Sequence, residues 1–170
     1  MPVPVNDEDR VLMTAEGFEQ LQGALDRLRT DERRHLSELL CEARRDGALE
    51  DNPTLVDLLA EQAQLERRIA RLEAQLAVAE VAPPPRDGRA AVGSVVRVRD
   101  IVSGDTFEYE LVGAFEGDAT NGRVSAAAPI GRALVGQHPG ARVEVAAPRR
   151  RIALEVLHVA RRRPPARKAA

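Results

Sequence analysis

Hydrophobic residues in the first half of the chain recur at the spacing of an α-helix. The first stripe consists of Phe18, Leu21, Leu25 and Leu28, and it resumes after polar residues 31–35 with Leu36, Leu39 and Leu40. Steps of three and four residues place these side chains on one helix face. Thr14 precedes the stripe, and its hydroxyl can accept an orphan backbone N–H. The pattern predicts a long helix that begins at Thr14.

A second helical stripe follows a short break. Gly47 is a typical residue just beyond a helix end, and Asn52-Pro53 is a typical start, with proline at the first helical position. The heptad seam of the second helix is Leu58, Gln62, Leu65, Ile69, Leu72, Leu76 and Ala79. Two helices of about 30 residues joined by a tight turn predict an antiparallel coiled-coil hairpin.

The pattern changes from helical spacing to alternation after three consecutive prolines, Pro83 to Pro85. Alternating runs at 94–100, 106–113, 141–148 and 151–160 predict strands. The run from Arg123 begins strand-like and becomes a short helix from Pro129, ending near Gly136. The second half is therefore expected to be an α+β domain, a twisted, mostly antiparallel sheet with one short helix.

Five segments follow from these patterns. They are an N-terminal tail (1–13), a hairpin (14–82) with an acidic tip at 46–53, a linker (83–92), a C-terminal domain (93–160) and a basic disordered tail (161–170). The first 82 residues hold 18 acidic and 10 basic residues, whereas the remainder holds 9 and 15. Opposite charges suggest that the two halves meet different surfaces. The basic tail is expected to contact nucleic acid or an acidic protein only weakly.

Composition excludes several classes of protein. Aromatic residues make up only 2%, which argues against a base-stacking surface, and a single cysteine, Cys41, excludes a disulfide framework. No apolar stretch is long enough to span a membrane, and the acidic N-terminus lacks the apolar core of a secretory signal. We expect a cytoplasmic protein. The histidines, His35, His138 and His158, are scattered, and no catalytic constellation, cofactor motif or small-molecule substrate site is visible.

The turn between the helices is strongly acidic. Six acids and no base occur from Asp46 to Glu66, and four of these acids lie within residues 46–57. Crowded carboxylates can bind Mg²⁺ or a basic partner, although many acidic turns are merely solvated. We expect no measurable Mg²⁺ binding by the isolated chain.

Three motifs in order resemble the Gre family of bacterial transcript-cleavage factors. LMTAEGFEQLQGALDRL is similar to the opening MTxxGxxxLxxEL, and EARRDGALEDN is similar to the tip motif ARxxGDLxEN. VGAFEGDATNGRVSAAAPIGRALVGQHPGARVEV is similar to VGxxEADxxxxxISxxSPIGxALIGxxxGDxVxV. The resemblance spans about residues 12–159 and implies an FKBP-like fold for the C-terminal domain.

The resemblance also implies a partner and a site. The C-terminal domain would dock at the rim of the secondary channel of bacterial RNA polymerase. The hairpin would enter the channel, where tip carboxylates help to hold Mg²⁺ at the active site of the polymerase, which remains the enzyme. The acids present at the tip here are Asp46, Glu50 and Asp51, and the candidate docking residues are Asp118, Pro129 and Ile130. We expect a monomer.

The tip departs from the family pattern at its most important position. The first acid of ARxxGDLxEN falls on Ala48, and the second falls on Asp51. We therefore favour a Gre-like factor that modulates or inhibits transcription without efficient cleavage. One alternative is a cleavage-competent factor that uses Asp51 with Asp46 or Glu50. Another, of a different class, is a coiled-coil adaptor that dimerises.

Overall fold

The computed structural model describes residues 10–45, 52–86, 88–146 and 151–162. The chain divides into two compact units. Residues 18–79 form one unit, and the residues up to 17 together with those from 80 onward form the other. The sequence prediction assigned residues 14–17 to the hairpin, whereas the structure groups them with the C-terminal sheet. Its assignments for Gly47, for residues 1–9 and for residues 163–170 fall outside the described residues.

The hairpin consists of two long helical arms. The first arm contains α1 (Ala15–Arg27), a π-helical turn (Leu28–Glu32) and α2 (Arg33–Ala43). The second arm is α3 (Pro53–Val78). The predicted cap at Thr14 is confirmed, because its Oγ1 accepts the Gly17 N–H at 2.9 Å. The predicted start at Asn52-Pro53 is confirmed as well, since the Asn52 side chain accepts the Leu55 N–H.

The hairpin core follows the predicted leucine stripes and adds residues at the turn end. Its buried members are Leu25, Leu28, Leu36, Leu40, Ala43, Leu55, Leu65 and Ile69. A strict heptad after Leu28 would place His35 in the seam, but His35 is exposed and Leu36 is buried. The π turn resolves this mismatch, because it accommodates one more residue per turn than an α-helix. Leu36 therefore stays on the buried face.

Two positions of the predicted seam differ in the structure. Gln62 is exposed, because its amide keeps its hydrogen bonds to water only outside the apolar seam. Ala79 lies beyond the last turn of α3, at the start of β2 (Ala79–Val81). Its extended conformation, with ψ of 135°, ends the helix.

The C-terminal unit contains a five-stranded sheet. Its strands are β3 (Ser94–Asp100), β4 (Thr106–Val112), β5 (Arg123–Ser125), β6 (Arg142–Ala146) and β7 (Arg151–Arg161), in the order β5-β4-β3-β7-β6. The helix α4 (Pro129–Leu134) supplies Leu134 to the buried core. The prediction of a sheet with one short helix is confirmed, with one difference. The β4–β5 pair is parallel, because the ten-residue connection between them brings the chain back in the same direction.

Two segments outside the predicted C-terminal domain also belong to this unit. Residues 11–13, which the prediction placed in a tail, form β1 (Val11–Met13), which pairs with β2. Met13 is 1% exposed. Ala90, in the predicted linker, is buried in the core, and its N–H donates to the Gln137 carbonyl at 2.8 Å.

Candidate functional site

The hairpin end is fastened by one side chain that bonds to both helical arms. Asn52 Oδ1 accepts the Leu55 N–H of α3 at 3.1 Å, while Asn52 Nδ2 donates to the Ala43 carbonyl of α2 at 2.8 Å. The amide orientation follows from its partners, since an N–H can only donate and a carbonyl can only accept. Asn52 therefore bonds to a first-turn donor of one helix and to a last-turn acceptor of the other.

The predicted tip acids fall, in the sequence, between the two helix ends that Asn52 joins. Asp46, Glu50 and Asp51, together with Ala48, fall outside the described residues, so the structure shows only the ends from which they depart. On the α2 side, Arg44 and Arg45 are exposed, and the Arg44 N–H still donates to the Leu40 carbonyl at 3.1 Å. On the α3 side, Asn52 is the direct neighbour of Asp51.

The three predicted docking residues come together at one groove of the C-terminal unit. The groove has a volume of about 430 Å³ and is lined by residues 117–119, 123–125, 128–130 and 145–146. Asp118, Pro129 and Ile130 are all among them. The sequence separates Asp118 from Pro129 by a turn and a strand, and the parallel β5 brings them together. The lining is mostly apolar, with the carboxylate of Asp118 and the guanidinium of Arg123 as its charged groups, and such a surface is suited to an apolar protein segment with charged groups at its edge.

Asp118 is held as a carboxylate at the edge of this groove. Its Oδ1 accepts the Thr120 N–H at 3.1 Å, and its Oδ2 accepts Asn121 Nδ2 at 2.6 Å. The bond from the Asn121 side chain is the largest cause of a lowered pKa for Asp118, and the Arg123 guanidinium adds a smaller effect of the same sign. These bonds orient the carboxylate, and they leave it ionised at neutral pH.

The segment around Pro129 combines surface and packing roles. Pro129 occupies the first turn of α4 and is exposed, whereas Ile130 is half-buried against the core. Position 131 requires glycine for a steric reason, because a Cβ there would lie 2.0 Å from the Ser125 carbonyl oxygen. The PIG sequence is therefore partly a packing motif, and only Pro129 and part of Ile130 face the groove.

Sequence reasoning missed a buried carboxylate, Glu116, that joins two of the recognised motifs. Glu116 is 9% exposed. Its Oε2 accepts the Thr14 N–H and the Gly113 N–H, both at 2.9 Å, and its Oε1 accepts the Thr14 hydroxyl. Arg123 Nη2 donates to the same carboxylate at 3.3 Å. Thr14 belongs to the opening motif and Glu116 to the VGxxE motif, so residues about a hundred positions apart form one buried cluster.

The glycines of the same two motifs make room for this carboxylate. A Cβ on Gly17 would lie 1.9 Å from Glu116 Oε1, and a Cβ on Gly113 would lie 2.7 Å from Glu116 Oε2 and 2.3 Å from the Leu12 carbonyl oxygen. The only signal in the sequence was the resemblance of these two segments to the family motifs MTxxG and VGxxE. That resemblance gave no indication that the two segments are in contact.

Neither a metal-binding cluster nor a membrane span is found within the described ranges. They contain no group of three or more histidine, cysteine, aspartate or glutamate side chains that could hold a metal ion. None of the helices described is both long enough and apolar enough to cross a membrane.

Comparison with known proteins covers nearly the whole chain. Residues 11–81 match the family model of the N-terminal domain of transcription elongation factors, and residues 85–161 match the GreA/GreB C-terminal model. A GreA from Thermodesulfovibrio yellowstonii is 37% identical over 89% of this chain and 97% of its own length. A GreA from Syntrophobacter fumaroxidans is 36% identical over 88% and 97%.

Solved structures of related factors were also found. A structure of the transcription factor Gfh1 covers 88% of this chain and 97% of that chain, at 28% identity and a TM-score of 0.43. A structure of Gfh1 from Thermus aquaticus covers 89% of this chain and 98% of that chain, at 25% identity and a TM-score of 0.42.

Both family models match in chain order, and the two GreA relatives match over almost their full lengths. This chain therefore belongs to the GreA/GreB family of transcription elongation factors.

Proposed function

We propose that this protein binds bacterial RNA polymerase in its secondary channel and slows transcription without efficient stimulation of transcript cleavage. The observation that carries this proposal is Ala48, which stands where the family motif has its first tip acid. The polymerase is the enzyme in this scheme, and the protein modulates its active site. Family membership supports the choice of partner.

The tip chemistry explains the expected loss of cleavage. A carboxylate oxygen is the kind of ligand that Mg²⁺ prefers, and an alanine methyl group cannot replace it. Asp46 and Glu50 flank the motif position without occupying it, and Asp51 is one methylene shorter than the glutamate of the family pattern. The remaining acids would bring negative charge near the metal held by the polymerase without supplying a carboxylate at the motif position of Ala48.

The groove of the C-terminal unit supports docking. Asp118 offers an oriented carboxylate and Pro129 an exposed apolar surface. We infer that they contact an apolar segment with a basic residue at the channel rim. Ala128 replaces the serine of the family motif, so this chain lacks one hydroxyl that could bond to the polymerase.

The experiment uses a backtracked elongation complex with labelled RNA. The rates of 3′ cleavage and of extension are measured with wild-type protein and with Ala48→Asp. We expect slowed extension and little cleavage from the wild type, and faster cleavage from the variant. Equal cleavage by both proteins would remove the explanation based on Ala48. Lack of binding to the polymerase would remove the whole proposal, and a stable dimer in sedimentation would favour the adaptor.

A second candidate is a cleavage-competent factor, because three acids remain in the turn, at Asp46, Glu50 and Asp51. Rapid cleavage by the wild type that disappears in Asp51→Asn would favour this candidate. The same experiment therefore separates it from the inhibitor.

A further inference from the structure

We propose that residues 163–170, the basic segment that follows the last strand of the sheet, bind the groove that contains Asp118 and compete there with the polymerase. The contact within the chain stands on the groove and on the composition of the segment, whereas the competition rests on the proposed docking function. The segment is RPPARKAA, with three bases and no acid. It lies beyond residue 161, where the match to the family model ends, so the family pattern assigns it no role.

The groove offers a carboxylate that forms no ion pair among the described residues. The other charged group of the lining, Arg123, is engaged, because its Nη2 donates to Glu116 at 3.3 Å and its Nε lies 3.9 Å from Glu110. The side chain of Asp118 accepts neutral donors, a backbone N–H at 3.1 Å and a side-chain amide at 2.6 Å. These bonds orient the carboxylate, so a base that enters the groove meets a preformed partner.

The charged groups around the groove add to this attraction. Arg162 Nη1 lies 2.8 Å from both Glu16 Oε2 and Glu110 Oε1, and Glu110 leads on to Arg123. Together with Asp118, this group holds four carboxylates and two guanidinium groups, in Glu16, Glu110, Glu116, Asp118, Arg123 and Arg162. The excess of carboxylates attracts a segment that has bases and no acids, which is the composition of residues 163–170.

The apolar part of the segment suits the apolar part of the groove. Val124, Pro129 and Ile130 are among the lining residues, and Pro129 is exposed. Residues 164–166 are two prolines and an alanine. The proline ring fixes φ, so such a segment loses little conformational entropy when it binds.

The segment begins close enough to the groove to reach it. Arg162 is the last described residue before the segment, and its guanidinium is joined through Glu110 to Arg123, which lines the groove. Eight extended residues span up to about 26 Å, which exceeds the distance across two ion pairs in series. Residues 164–168 are therefore long enough to lie along the groove and bring a base to Asp118.

Attachment to the same chain makes a weak contact effective. A short tether keeps the segment at an effective concentration of about 1 mM or more near the groove, so the groove is filled part of the time without tight binding. The polymerase then binds only the molecules whose groove is empty, and its apparent affinity falls by that fraction. Occupancy of about one half to four fifths lowers the apparent affinity about twofold to fivefold.

The contact is tested in the full chain by paramagnetic relaxation enhancement. Ala170→Cys in a Cys41→Ser background carries a nitroxide label, and amide signals are compared before and after the label is reduced. We expect broadening at Ala119 and Ser125 in the groove and none at Val102, in the turn before β4. A mixture of labelled protein with unlabelled, isotope-enriched protein should show no broadening, because the contact lies within one chain.

Charge variants identify the groups that make the contact. One variant replaces all three bases of the segment by glutamine and keeps its length and prolines (Arg163→Gln, Arg167→Gln and Lys168→Gln). This variant and Asp118→Asn should each reduce the broadening at least threefold. Asp105→Asn is the matched control, because Asp105 is an exposed acid that precedes β4, whereas β5 pairs with the other end of that strand. It should leave the broadening unchanged.

The competition is tested by displacement of labelled wild-type protein from the polymerase. The glutamine variant should bind the polymerase twofold to fivefold more tightly than the wild type, because its groove is empty. Asp105→Asn should bind like the wild type.

Each other outcome has a distinct meaning. Absence of broadening in the groove refutes the inference and leaves the proposed function standing, and binding of a labelled DNA duplex that is lost in the glutamine variant would then identify the segment as a nucleic-acid contact. Broadening in the mixed sample assigns the contact to a second copy of the chain, which also refutes the inference. Broadening within one chain, with polymerase affinity unchanged or weakened in the glutamine variant, refutes the competition. Unchanged affinity would also show that the polymerase does not dock at this groove.

Discussion

Substitution of Gly17 by alanine tests the buried cluster around Glu116. A Cβ on Gly17 would lie 1.9 Å from Oε1, 2.3 Å from Cδ and 2.8 Å from Cγ of Glu116. Ordinary contacts are at 3.4 Å or more, so the carboxylate must withdraw by well over 1 Å. It is not free to do so, because it accepts the N–H groups of Thr14 and Gly113 at 2.9 Å.

The size of the effect follows from three contributions. Overpacking a well-packed site costs about 1–3 kcal/mol, and each hydrogen bond lost to a charged group costs about 1.5–3 kcal/mol. Replacing a helical glycine by alanine gains about 1 kcal/mol. With one of these bonds lost, we therefore expect Gly17→Ala to lower the free energy of unfolding of the C-terminal unit by about 1.5–5 kcal/mol.

The chain provides a matched control and a convenient probe. Gly23 lies in the same helix, and a Cβ there meets only Arg27 Nη1 at 3.7 Å. Gly23 belongs to the hairpin unit, so Gly23→Ala should leave the unfolding transition of the C-terminal unit unchanged. Urea unfolding can be followed by the fluorescence of Tyr109, the single tyrosine of a chain without tryptophan, which lies in β4.

A double-mutant cycle gives the result that would refute the reasoning. In a Glu116→Ala background the obstructing carboxylate is gone, so Gly17→Ala should become neutral or stabilising. Strict additivity of the two substitutions would show that Gly17 and Glu116 do not compete for space. A Gly17→Ala variant as stable as Gly23→Ala would refute the prediction equally.

Four further variants, two deletions and two substitutions, test other features. Deletion of Thr30 should convert the π turn to α-helix and keep the leucine seam, so helical content and melting temperature should change little in circular dichroism. Deletion of Glu38 in α2 should instead rotate the following seam residues and lower both. Gly131→Ala should destabilise the C-terminal unit by about 1–3 kcal/mol in urea, because the added Cβ would lie 2.0 Å from the Ser125 carbonyl oxygen. The pKa of Asp118 is lowered in the folded state, so its carboxylate stabilises the fold above the ordinary pKa and loses that contribution as the pH falls through the lowered value. The difference in melting temperature between wild type and Asp118→Asn should therefore shrink between pH 7 and pH 3, and a constant difference would contradict this.

Features encoded over a few residues were predictable from the sequence. The caps at Thr14 and Asn52 depend on bonds that span three residues, and the structure contains both. The strands of the C-terminal sheet were found because side chains alternate along an extended chain. The resemblance of three motifs to the Gre family was visible for the same reason, since each motif is a continuous segment with residues at fixed spacing.

The π turn was only partly predictable from the sequence. The eight-residue step from Leu28 to Leu36 is present in the sequence, yet spacing alone does not say whether the chain breaks, bends or absorbs an extra residue. Packing against α3 decides this, because only the extra residue keeps both leucines buried. The exposure of Gln62 is a similar case. A heptad position predicts which face of the helix a side chain occupies, but it does not predict whether the partner helix covers that side chain.

The sequence by itself determined the helical hairpin, the α+β domain, the charge of each half and the loss of an acid at Ala48. Only the tertiary structure showed that Thr14, Gly17, Gly113 and Glu116 form one buried cluster, and that Asn52 bonds to both arms of the hairpin. The physical reason is the range of the interactions. Periodicity and capping act between near neighbours, whereas a buried carboxylate takes its donors from wherever the fold brings them.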